Sequence, residues 1–230
     1  ISERYGAWET VARKLAHEIK NPLTPIQLSI DRLREKYSSK ILDGGDDFEK
    51  YLQTINRQIK DIENLVNEFS NFARMPRPLM KKINIFVVFK RSFDLFKMTS
   101  KNQINLKSKN TNLFLKGDEE QLNRVFMNLL KNSEESIQEK SKKMTDYKGK
   151  IDIEINTNNH YIIVSLTDNG TGVSDIKKAM NPYFTTKIKG TGLGLPIVSK
   201  IINEHSGDIT ISNNRDHGAK VNISLPKINE

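Results

Sequence analysis

The sequence predicts an all-α helical hairpin, paired into a dimeric four-helix bundle, followed by an α/β sandwich. Three observations predict it. Long heptad seams fill the N-terminal part, the segment Met75-Pro76-Arg77-Pro78 interrupts them, and beyond it short strand-like runs alternate with helices.

The first seam reads Ala12, Leu15, Ile19, Leu23, Ile26, Ile30, Leu33 and Tyr37. Its steps alternate between three and four, with one extra step of four between Ile19 and Leu23, a stutter at Pro22. The second runs through Phe48, Leu52, Ile55, Ile59, Ile62, Val66, Phe69 and Ala73. Gly44-Gly45, inside the stretch Ser38 to Asp47, stops the first helix and turns the chain. Helices are expected at about 4–37 and 46–75. One hairpin buries two seams poorly and two hairpins bury them well, so a homodimer is expected.

Neither Pro76 nor Pro78 can continue a helix, and each restricts the residue before it. The domain boundary is therefore placed between 1–76 and 77–230. In the second part, helices are predicted at 85–98, about 118–139 and 195–204. Strands are predicted at 104–109, 151–156, 161–167, 208–212 and 219–225, which suggests a mixed sheet with helices on one face.

Composition narrows the function classes. Hydrophobic residues make up 36% and charged residues 28% of the 230, enough for a packed core. With no cysteine, disulfides and thiolate chemistry are excluded. The apolar run IFVVF at 85–89 is too short to span a bilayer, so a soluble, intracellular piece of a longer protein is expected, without membrane contact of its own. The net charge of +9 is spread out, without a basic stripe or interleaved aromatics, so nucleic acid is not expected as a partner.

Four short stretches carry chemistry. In LAHEIKNPL, residues 15–23, His17 stands two residues from both Leu15 and Ile19, roughly opposite the seam, and Asn21 shares its face. A histidine there is either plain solvated surface or a nucleophile, since much of an imidazole is unprotonated at neutral pH. A carboxylate such as Glu18 would then fix its tautomer and steady the developing positive charge. In NLLKN, Asn128 and Asn132 lie one helical turn apart, either as surface amides or as hard oxygen donors for Mg²⁺. In DNGTG, Asp168 ends a strand, and Gly170 and Gly172 allow close backbone approach to a ligand, though Asp-Asn-Gly is equally a good turn. In GTGLGL, a glycine loop of Gly190, Thr191, Gly192, Leu193 and Gly194 opens a helix, an arrangement that offers N–H groups to phosphate. The intervening PYFTTKIK is either a lid with Lys187 near phosphate or a plain basic loop.

In this order the motifs resemble the two-component sensor histidine kinases, and AWETVARKLAHEIKNPLTPIQLS resembles the nitrogen-regulation sensor kinases of the NtrY type. HEIKNP matches the phospho-acceptor box, NLLKN the asparagine box, and DNGTG and GTGLGL the glycine boxes, with PYFTTK between them. The resemblance implies a dimerisation and histidine-phosphotransfer domain followed by an ATP-binding domain of the Bergerat type, with ATP and Mg²⁺ as cofactors. It implies that His17 accepts the γ-phosphoryl group, that Glu18 assists as base, and that Asn21 aligns water for dephosphorylating the partner. Asn132, helped by Asn128, would hold Mg²⁺, and Asp168 would recognise adenine. The glycines would shape pocket and lid, with Thr186 and Lys187 near the phosphates. The implied partner is the receiver domain of an NtrX-like response regulator, and the implied setting is the cytoplasmic part of a protein anchored in the bacterial inner membrane.

Two departures stand out. Ser133 replaces a common alanine, and Glu135 replaces a basic residue that contacts phosphate, which leaves Lys131 or Lys187 for that contact. Two rival readings remain, a gyrase-like or Hsp90-like ATPase, against which residues 8–73 argue, and a non-catalytic dimeric scaffold, against which the intact nucleotide motifs argue.

Overall fold

The computed structural model describes residues 2–40, 45–73, 75–181, 184–185, 192–214 and 218–228, with side chains described except at 2–15, 17, 68 and 71–73. They form two compact units, Ile1–Pro76 and Arg77–Glu230. Among the described residues, no helix is long and apolar enough to cross a membrane.

The first unit is a hairpin of α1 (Ser2–Tyr37) and α2 (Gly45–Ala73). α1 continues through Pro22 and Pro25. Ile30, Leu52 and Ile59 form its core, with Leu23 and Phe48 packed against them. Near the turn Arg34 grips Glu49 at 2.9 Å, and further along Gln27 Nε2 donates to Asn56 Oδ1 at 2.9 Å.

Each heptad seam divides in two. Ile30 is 5% exposed, whereas Ile26, one step away on the seam, is 45% exposed. Ile19, Leu33, Ile55 and Ile62 are exposed like Ile26, while Leu52, Ile59 and Val66 are buried like Ile30. Two antiparallel helices share a single line of contact, so only one flank of each seam can turn inward. Ala16, outside the predicted seam, is also buried.

The second unit begins with β1 (Lys81–Asn84), which pairs antiparallel with β3 (Phe114–Gly117). Both strands escape the sequence reading, because four residues are too few to display an alternation. Between them lie α3 (Ile85–Thr99) and β2 (Gln103–Ser108). Then come α4 (Glu119–Ser141), β4 (Lys150–Thr157), β5 (Tyr161–Asp168), α5 (Gly194–Glu204), β6 (Asp208–Asn213) and β7 (Ala219–Pro226). The five-stranded sheet has the order β2-β4-β5-β7-β6, parallel between β2 and β4 and antiparallel elsewhere.

The sheet's covered face is written in period two. Ile151, Ile153 and Ile155 of β4, Ile162, Val164 and Leu166 of β5, and Val221, Ile223 and Leu225 of β7 are all buried. α4 packs on β4 and β5, and α5 packs on β6 and α4. The α3–α4 contact includes stacked rings of Phe89 and Phe126, with centroids 4.3 Å apart.

Helix ends are set by local chemistry. Asn84 caps α3 by accepting from the Phe86 N–H, and Asp118 caps α4 by accepting from the Gln121 N–H at 3.0 Å. The second Asp118 oxygen accepts from the Leu79 N–H at 2.8 Å, which ties the start of this unit to α4. Buried His205 accepts the Asp118 N–H on Nε2, so its Nδ1 donates to the Ile201 carbonyl.

Candidate functional site

Asp168 occupies the next inward position after Leu166 on β5, so the strand's alternation alone carries its carboxylate to the covered face. There it is 4% exposed. Three donors among the described residues converge on it. Oδ1 accepts from the Gly170 N–H at 2.9 Å and the Ala219 N–H at 3.2 Å, and Oδ2 accepts from Ser133 Oγ at 3.0 Å. A buried carboxylate requires such partners, since burying a charge without them is costly.

α4 supplies the opposite wall. Ser133 lies one residue after Asn132, and Ser136 lies a turn beyond it. Ser136 Oγ accepts from the Thr171 N–H at 2.9 Å and also meets Thr171 Oγ1. A Cβ on Gly170 would collide with Ser136, so glycine is needed for the loop to lie against the helix. Gly172 at φ 75° and Gly192 at φ 69° adopt the left-handed backbone that L side chains rarely take.

The start of α5 meets Asn128 and Asn132. A Cβ built on Gly194 would sit 3.5 Å from Asn128 Oδ1 and 3.5 Å from Asn132 Nδ2. Asn128 donates its Nδ2 to the Arg124 carbonyl at 2.8 Å, which turns its oxygen toward α5. Leu193 at the N-cap is buried and has no polar side chain to cap the first-turn N–H groups. Amide oxygens beside the positive end of a helix suit a magnesium-bound phosphate chain.

The structure therefore sets Asn128 and Asn132 of α4 against Gly194, and Asp168 and Gly170 against Ser133 and Ser136 of the same helix, with Gly172 in the loop after β5 and Gly192 and Leu193 leading into α5. Lys131, on the same helix, is exposed, and Glu135 is half-buried. Thr186, Lys187, Gly190 and Thr191 lie outside the described residues, as does the His17 side chain. His17 is on α1, where Glu18 and Asn21 are exposed.

Sequence reasoning missed the clamp behind the site. Asn214 donates to the Asp168 carbonyl at 2.7 Å and accepts from the Gly218 N–H, while Asn213 exchanges two bonds with the Val173 backbone. The available signal was the Asn213-Asn214 pair at a strand end, a composition that bonds nearby backbone. Sequence spacing cannot say that this backbone belongs to β5 and the loop after it.

Comparison with known families separates this site's possible owners. The histidine kinase-, DNA gyrase B- and HSP90-like ATPase family matches residues 117–229, and the His Kinase A (phospho-acceptor) domain matches residues 7–78. The second match decides between them. The chain belongs to the sensor histidine kinases.

The chain is 41% identical to a sensor histidine kinase of Rickettsia prowazekii (strain Madrid E) described as NtrY-like, over 98% of its own length and 37% of that protein. It is 34% identical to the nitrogen regulation protein NtrY of Azorhizobium caulinodans, over 97% of the chain and 29% of that protein. The chain thus spans well under half the length of these relatives. Among solved structures it resembles the histidine kinase ThkA in complex with the response regulator protein TrrA, at 25% identity and a TM-score of 0.67, covering 99% of this chain and 64% of that one.

Proposed function

We propose that the chain is the catalytic core of a dimeric sensor kinase that transfers the γ-phosphoryl group of ATP to His17 and then to an aspartate of a response regulator. The observation that carries this reading is that one helix, α4, meets the start of α5 through Asn128 and Asn132 and the buried Asp168 carboxylate through Ser133, in a chain that also bears HEIKNP on a helical hairpin. Residues 1–76 are the dimerisation and phosphotransfer part, and 77–230 the ATP-binding part.

In this reading Asp168 accepts from the exocyclic amine of adenine, and the first N–H groups of α5 hold phosphate. Asn132 and Asn128 hold Mg²⁺, which neutralises phosphate charge as the transfer proceeds. Among the described residues there is no cluster of three His, Asp or Glu side chains that could hold a metal, which suits a cation carried largely by phosphate and amide oxygens. Lys131 or Lys187 supplies the basic phosphate contact that Glu135 cannot.

His17 attacks the γ-phosphorus through a ring nitrogen as the bond to ADP breaks, and Glu18 accepts the proton from the ring. Asn21, one turn further along the exposed face, positions water when the phosphorylated regulator is hydrolysed. Exposed Ile26, Leu33, Ile55 and Ile62 are covered by the second hairpin of a homodimer. The regulator is an NtrX-like receiver domain, and the complete protein is a membrane-anchored sensor with this part in the cytoplasm.

Labelled phosphate incorporation from Mg·ATP tests the reading. An acid-labile, alkali-stable label that disappears in His17→Gln is expected. Absence of label in a protein that binds ATP and dimerises would overturn the kinase assignment in favour of an ATPase or a scaffold.

A further inference from the structure

Ser133 sits between two of the assigned groups, next in chain to Asn132 and hydrogen-bonded to Asp168. Its side chain is 3% exposed, and its hydroxyl donates to Asp168 Oδ2 at 3.0 Å. The other oxygen, Oδ1, receives two backbone N–H groups, from Gly170 and Ala219.

The terminal torsion of an aspartate is broad, so bonds on one oxygen leave the carboxylate plane free to rock. A third donor on the second oxygen stops that rocking. Gly170 and Ala219 give through the backbone, whereas Ser133 gives through a side chain. A single substitution can therefore remove its contribution while the chain path stays as it is.

Orientation matters because hydrogen bonds weaken steeply as their angle departs from linear. An adenine amine placed against a fixed carboxylate makes a charge-assisted bond. A 6-oxo purine presents a carbonyl at the same point and leaves the buried carboxylate without a donor from the base, which is strongly disfavoured.

We propose that Ser133 is a positioning residue that holds the Asp168 carboxylate in the plane that meets the adenine amine, and so sets the preference for adenine over 6-oxo purine nucleotides. The inference rests on the reading of Asp168 as the adenine acceptor. A purely structural serine, bonded to Asp168 only to satisfy its own buried hydroxyl, would support folding and contribute nothing to this preference.

The experiment measures dissociation constants for ADP and inosine diphosphate, with Mg²⁺, on the whole chain and on Ser133→Ala and Ser133→Thr. The parent is expected to prefer ADP. In Ser133→Ala the ADP affinity is expected to fall about tenfold while inosine diphosphate binding stays within about twofold, which compresses the ratio. Ser133→Thr, which keeps the hydroxyl, retains the parental ratio. An unchanged ratio in Ser133→Ala, or an equal loss for both nucleotides, overturns the role of Ser133. A parent that binds both nucleotides equally overturns the Asp168 reading instead. Should Ser133→Ala fail to fold, Ser133→Cys keeps the side-chain volume and replaces a good donor by a weak one, and a parental ratio there overturns the proposal equally.

Discussion

Gly218 lies so close to Asp168 that a Cβ added to it would overlap the Asp168 carbonyl oxygen. The obstruction is backbone rather than the end of a flexible side chain, so it cannot be relieved by a change of rotamer. Asn214 holds the same place from the other side, with its Nδ2 on the Asp168 carbonyl and its Oδ1 on the Gly218 N–H. Gly218→Ala must therefore push β7 away from β5 just where the Ala219 N–H reaches the Asp168 carboxylate. The variant is expected to lose about 3 kcal/mol of stability and most of its nucleotide affinity, measured by denaturant unfolding and ADP titration. A variant as stable as the parent would contradict this packing.

Asp118 makes a pH-dependent contribution with a defined sign. Burial pushes its carboxyl up, but the N–H groups of Gln121, Leu79 and Glu120 outweigh that and hold it below the usual carboxylate value. A carboxyl lowered in the folded state adds stability above its unfolded value of about 3.9, and the gain is lost as the pH falls through the lower folded value. Asp118→Asn keeps an oxygen acceptor and cannot titrate. It is expected to be less stable than the parent at pH 7, with the gap closing below about pH 4. A gap independent of pH would show that Asp118 acts only as a neutral cap.

The divided seams make a prediction about assembly. Ile26 and Ile62 belong to the exposed flank and Ile59 to the buried one. Ile26→Asp combined with Ile62→Asp is expected to give a helical monomer by sedimentation, because each charge would have to be desolvated in a dimer core. Ile59→Asp should instead unfold the hairpin itself, seen as lost helical circular dichroism. A double variant that remains dimeric would place the interface elsewhere.

Asn21 separates two activities proposed for one helix. Asn21→Ala is expected to slow dephosphorylation of the regulator at least about tenfold and to leave autophosphorylation within about twofold, since water must be positioned only in the first reaction. Equal losses would mean that Asn21 merely supports α1.

Much of this protein is legible in its sequence. The heptads of α1 and α2 and the period-two runs of β4, β5 and β7 are local patterns, and burial of an apolar face follows them closely. The chemical motifs can be located in the sequence for the same reason, since asparagines one turn apart and an aspartate at the end of an alternating strand are local patterns too, and the roles proposed for them rest on that placement. β1 and β3 were not legible, because each is stabilised by its partner across the chain rather than by its own four residues.

Tertiary structure alone decided which flank of each seam is inward, because that depends on where the facing helix lies. It also decided that Ser133, outwardly a mild departure on a helix, donates to a carboxylate 35 positions away. Asn214 and Gly218 lie further still along the chain from Asp168, and only the pairing of β5 with β7 brings them to it. Periodicity specifies what a segment turns toward the core. The partners it meets there are chosen by strand order and helix packing, which no local pattern encodes.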